Sequence, residues 1–187
     1  MWYPPRYSLP VFHIDDETLR DVVDDRAAAN RRLAELSDRL DAAALGERVV
    51  LLRLLGQLDQ AEELGWIALE TTHGDARKRV TATIRLAHVL QWQQRFDEAD
   101  AMFQQALDLA DVLRDDILRA FAHQHLGKSL YDQARYVEAA HRFRTALRLR
   151  RSANAPADQQ ESSAQALAAA QRQRRRARPA GLPTASA

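Results

Sequence analysis

Ala99-Asp100-Ala101-Met102-Phe103-Gln104-Gln105-Ala106 and Ala139-Ala140-His141-Arg142-Phe143-Arg144-Thr145-Ala146 share one pattern: a small residue, a ring four positions on, and a second small residue three beyond it. On a helix these positions lie on one face. The alanines let a neighbouring helix approach closely, and the ring fills the space one turn further. A weaker copy is Ala61, Gly65 and Ala68. The copies begin at 61, 99 and 139, so the period is 38 and then 40 residues. A helix-turn-helix unit recurring at this length marks a solenoid, in which each unit buries its apolar face against the next.

The flanking residues recur as well. Arg95-Phe96-Asp97-Glu98-Ala99 and Arg135-Tyr136-Val137-Glu138-Ala139 occupy the turns, and Ala106-Leu107-Asp108-Leu109 and Ala146-Leu147-Arg148-Leu149 close the second helices. Leu126-Gly127 with Leu130 sits in one first helix. With these motifs, residues 38–176 resemble a tetratricopeptide repeat protein. The period exceeds the family's usual 34 residues, as in the longer repeats of kinesin light chains and bacterial regulatory proteins. There are departures. Gly65 stands where the ring belongs, with Trp66 beside it as the expected substitute, and Val49 and Ala87 stand where the third repeat has Gly127. The resemblance implies an all-α fold, a right-handed superhelix of about three helix pairs with an N-terminal helix and a C-terminal capping helix.

It also implies that the first helix of each pair lines a concave groove. The inward candidates are then Val50, Arg53 and Leu54, followed by Ile84, His88, Gln91 and Trp92, and by Gln124, Lys128, Tyr131 and Asp132. Trp92 and Tyr131 offer apolar area with a polar handle. Arg53, His88 and Lys128 could meet carboxylates or carbonyls, and Gln91 and Gln124 could pair with a peptide backbone. That mixture suits an extended peptide or a partner helix. Family members that hold a chaperone's C-terminal carboxylate use Lys and Asn at positions occupied here by Gly46 and Val50, so that subgroup does not fit.

Taken in order, residues 1–14 carry Trp2, Tyr3, Pro4, Pro5, Tyr7, Pro10 and Phe12. Proline forbids a helix here and favours an extended arm, packed on the protein's own surface or docked in a groove of its own, of a second copy or of a partner. Asp15-Asp16-Glu17 suits a helix N-terminus. Leu19, Val22, Val23, Ala27, Leu33, Leu36 and Leu40 follow at helical spacing. Either one helix runs from 16 to 45 or a new one starts near Ser37, a possible cap. The repeats are expected at about 38–74, 75–114 and 115–151, with Gly74 as a left-handed stop and Asp75 and Asp115 opening the later pairs. Residues 158–176 read as a polar-backed end helix, and 177–187, with two prolines and a glycine, as a mobile tail.

Composition limits the rest. The 187 residues make one domain with net charge +1, which supplies no global field for nucleic acid or membrane. There is no cysteine, in keeping with a reducing cytoplasm, and no apolar run approaches the roughly 20 residues of a membrane span. The N-terminus lacks the pattern of a signal peptide. Abundant arginine with lysine only at 78 and 128 points to a GC-rich bacterial genome. His123 and His125 point about 200° apart on a helix and cannot share a metal. No nucleotide-binding glycine motif, zinc motif or nucleophile motif is present, so no cofactor, metal or catalytic residue is assigned. The expected function is a protein-binding scaffold. The alternatives are self-association through the aromatic arm, giving a homo-oligomer, and a nucleic-acid accessory using the run from Arg172 to Arg178.

Overall fold

Three aspartates spaced along the chain start the three helix pairs. Asp41, Asp75 and Asp115 each accept a backbone N–H three residues on, from Ala44, Lys78 and Leu118, which satisfies a donor that the first helical turn leaves free. The computed structural model describes residues 12–177. Their order is β1 (Phe12–Ile14), β2 (Asp21–Val23), α1 (Arg26–Glu35), α2 (Ala42–Leu54), α3 (Leu58–Glu70), α4 (Ala76–Trp92), α5 (Phe96–Val112), α6 (Asp116–Asp132), α7 (Tyr136–Ser152) and α8 (Ala157–Arg176). The pairs are α2–α3, α4–α5 and α6–α7, and α8 closes the stack against α7.

Within each pair the first helix stops on a residue with positive φ: Gly56, Gln94 and Ala134. The amide after each reaches back to the carbonyl of Leu52, Leu90 or Leu130, closing the first helix with a Schellman turn. Two of these three residues are not glycine, which explains why turns that carry no Gly-Pro signal are still sharp. Each later turn is also tied to the repeat before it. Arg95 and Gln93 both bond Glu62, and one repeat on Arg135 and Gln133 both bond Asp100.

The small-ring-small faces do what their spacing demands. Ala99, Phe103, Ala106, Ala139, Phe143 and Ala146 are all at most 1% exposed. Phe143 lies so close to α6 that a Cβ at Gly127 would stand 2.6 Å from its ring. At the weaker copy, Gly65 is matched by Leu86 of the next repeat, whose Cδ1 is 2.8 Å from where a Cβ would be. Trp66 is not the substitute for the missing ring: it is 46% exposed. Neighbouring helix positions point about 100° apart, so a side chain at 66 cannot reach the face that 65 presents.

The N-terminal region departs further from expectation. Residues 15–20 do not start a helix but form the turn of an antiparallel hairpin, with Ile14 opposite Asp21 and Phe12 opposite Val23. The Asp15 carboxylate accepts the amides of Glu17 and Thr18 and the Thr18 hydroxyl, so the acid that suits a helix start instead ties a turn. Nor does one helix run from 16 to 45. α1 and α2 are separate, Asp41 rather than Ser37 caps α2, and Leu40 is left exposed in the connection. The expected aromatic arm, apart from Phe12–Ile14, and the expected tail beyond Ala177 lie outside the described residues.

Gly127→Ala forces the Phe143 ring from its seat and costs about 1–3 kcal/mol. Urea unfolding followed by circular dichroism measures the loss; an unchanged midpoint contradicts this packing.

Candidate functional site: the concave groove

The first helices α2, α4 and α6 lie side by side, α4 touching both others. Their shared face carries Arg53, Trp92 and Lys128, and the hairpin lies across it. Asp21 is the centre of the arrangement. Its Oδ2 accepts from Arg53 Nη2 at 2.8 Å and its Oδ1 from Lys128 Nζ at 2.9 Å. All three side chains are at most 10% exposed. Burial pushes the Asp21 carboxyl up, but Lys128 and Arg53 outweigh it and hold the group well below the usual carboxylate range. Burial in turn lowers the Arg53 pKa, with Asp21 opposing.

Contacts continue on both sides of this centre. Arg20 Nη2 donates to Asp132 at 3.1 Å, and so does Gln91 Nε2 at 3.1 Å. The Arg20 and Arg53 guanidinium carbons lie 5.5 Å and 4.5 Å from the Trp92 ring centre, within cation–π range. The Tyr131 hydroxyl donates to the Glu17 carbonyl at 2.7 Å. At the turn, Gln165 of α8 bonds the Asp16 carboxylate, and Arg172 reaches the Asp16 carbonyl at 3.5 Å. Leu19 drops into the main apolar core at 2% exposure with φ of 57°, a left-handed conformation unfavourable for a bulky side chain. One short segment thus touches α2, α4, α6 and α8.

Beneath the ion pairs sits a pair of histidines. The rings of His88 and His125 are 4.7 Å apart, and His125 also meets Phe121 at 4.5 Å. Burial, then the cations Arg53 and Lys128 respectively, push both well below the ordinary histidine pKa, so both are neutral. Several polar atoms here are buried without a partner: Arg53 Nη1, Gln91 Oε1, Trp92 Nε1 and His125 Nδ1.

Of the residues expected to line the groove, the apolar Leu54 and Ile84 are buried and Val50 is half-buried. Among the polar and aromatic ones, Arg53, Trp92, Lys128, Tyr131 and Asp132 meet the hairpin directly, and Gln91 meets it through Asp132. Two are placed differently. His88 is buried against His125 and Trp92 as a neutral ring. Gln124 faces the end helix, where its Oε1 accepts from Ser163, which in turn accepts from Arg150. Asp21, Leu19 and Arg20 escaped sequence reasoning. Their signal was an acid set between Leu19 and the pair Val22-Val23, a position where a charge needs a partner from elsewhere in the fold.

A stack of antiparallel helix pairs with a concave polar face defines a helical-repeat protein. Residues 79–152 match the family model of the tetratricopeptide repeat. The α2–α3 pair precedes the matched segment and extends the same stack. Among solved structures, the chain is similar to BtubC (BKLC) from P. vanneervenii, with TM-score 0.52, 17% identity, and coverage of 85% of this chain and 76% of that one. At that identity the likeness concerns the fold. No curated protein matches the sequence.

The buried histidines and Asp21 all have depressed folded-state pKa values, so the unfolded chain binds more protons as the pH falls. Stability is therefore complete above the ordinary histidine pKa and is lost on acidification, first through His88 and His125 and then, below the ordinary carboxylate range, through Asp21. Each group costs up to about 1.4 kcal/mol per pH unit while only the unfolded chain binds its proton. Urea unfolding at pH 7 and pH 5 should show this fall, with a shallower one in His88→Gln; equal slopes contradict a neutral buried His88.

Proposed function

We propose that this protein is a non-catalytic interaction scaffold whose concave groove receives a segment of a partner protein. Tetratricopeptide repeats generally serve as protein-interaction scaffolds. The observation that carries the finer reading is that the groove is already occupied by polypeptide. Residues 15–21 are gripped through their backbone carbonyls, by Tyr131 and Arg172, and through their carboxylates, by Arg53, Lys128 and Gln165. A face that holds one stretch of chain in this way has the donors to hold another. Three of the grips end on a carboxylate, so the groove favours an acidic segment.

Among the described residues no helix is long and apolar enough to cross a membrane. We place the protein in the cytoplasm on the further ground that its sequence has no cysteine.

The test uses tagged full-length chain and the Trp92→Ala/Lys128→Ala variant to capture partners from the native host. The variant should lose its partner by about tenfold or more, since aromatic and cationic anchors carry most of such interfaces. Far-ultraviolet circular dichroism should show the helices intact. Undiminished capture rules out the groove.

A further inference from the structure

Resting on that reading, we propose that the hairpin is an exchangeable occupant of the groove. Its outside ligand is an acidic segment with a leucine two residues before an aspartate, as in Leu19-Arg20-Asp21, and it binds by expelling residues 12–23.

The groove requires a carboxylate. Arg53 and Lys128 come from different repeats, are 4% and 5% exposed, and converge on one acid. Buried cations stripped of their partner are strongly unfavourable, so the site takes its carboxylate from whichever segment supplies one. The leucine requirement follows from Leu19, the hairpin side chain fully buried in the main apolar core, with Ile14 packed only partly against it.

The hairpin satisfies this site incompletely. Arg53 Nη1, Gln91 Oε1 and Trp92 Nε1 stay buried without partners beside it. Leu19 reaches its seat only at φ of 57°, a strained backbone for leucine. A competing segment that presents leucine and aspartate from a relaxed backbone, and bonds even one of those atoms, has an advantage the hairpin lacks. The hairpin also has little stability of its own. Its ladder is two strands of three residues, too short to persist in water without the groove. Releasing it withdraws Leu19 and Ile14 from the main core and Val23 from the first repeat's cluster, and leaves the helix pairs with their own caps and the rest of their cores. The exchange is therefore local, and the concave face is closed until a matching acidic segment arrives.

The probe is a fluorescent synthetic peptide of residues 14–25, with a second version carrying Asn at position 21. Each is titrated into the full-length chain and into its Asp21→Asn and Leu19→Ala variants. Both variants weaken the internal occupant by different means and leave every groove residue in place, so a folding defect in one does not decide the result. Both should bind the Asp peptide about tenfold more tightly than the parent chain, because the open groove is then more populated. The Asn peptide should bind at least about tenfold more weakly than the Asp peptide. Because the chain has no cysteine, nitroxides at Val22→Cys and Val112→Cys report the hairpin's position alone. Saturating peptide should shift the distance between them.

Equal affinity across the three chains, equal binding of the two peptides, an unmoved Val22 label, or no binding at all each overturns the exchange. None of these results touches the capture experiment with Trp92→Ala/Lys128→Ala, which alone decides whether the groove binds partners. The two proposals can therefore fail separately.

Discussion

A charge inside a protein must have a partner, and here one carboxylate serves two cations from opposite ends of the stack. Arg53 belongs to the first helix pair and Lys128 to the third, and Asp21 joins them. In a solenoid each unit touches only its neighbours, so curvature is normally the accumulated result of local packing. α2 and α6 each touch α4. The hairpin adds a direct link over that distance and fixes how far apart the ends of the concave face can lie. Taking the Asp21 carboxylate away would leave two cations stranded among Trp92, His88 and His125. That coupling makes the site one unit rather than a row of independent side chains.

The same constraint accounts for the neutral histidines. With Arg53 and Lys128 already acting on both rings, a further positive charge would be repelled and also desolvated. His88 and His125 therefore pack as aromatic rings, edge on to each other, with His125 also edge on to Phe121. Their polar atoms are not all satisfied. Among the described residues, four of the eight buried side-chain atoms without a partner, on Arg53, Gln91, Trp92 and His125, lie beneath the hairpin.

Much of the helical architecture was legible from residue spacing. The triplets at 99 and 139 gave the buried face, and Asp75 and Asp115 gave the helix starts, because both depend on interactions within a few residues. The errors fall where a long-range partner outweighs a local preference. Asp15-Asp16-Glu17 is a good helix start by propensity, yet Asp15 ties a turn and Asp16 bonds Gln165, 149 residues away. Trp66 looked like a repair for Gly65, but the repair came from Leu86 in the next repeat. Gln124 pointed to the groove by register, and the end helix covered it.

What the sequence determined by itself is the repeated pair of helices. Small-ring-small spacing, aspartate caps and a forty-residue period are local patterns, and local patterns act before the chain has any distant contact. What only the tertiary structure decided is the state of the concave face, filled by the chain's own hairpin with Asp21 between Arg53 and Lys128. The physical reason is sequence separation. Those bonds span 32 and 107 residues, and no periodicity in a chain indicates which distant charge will be buried against it.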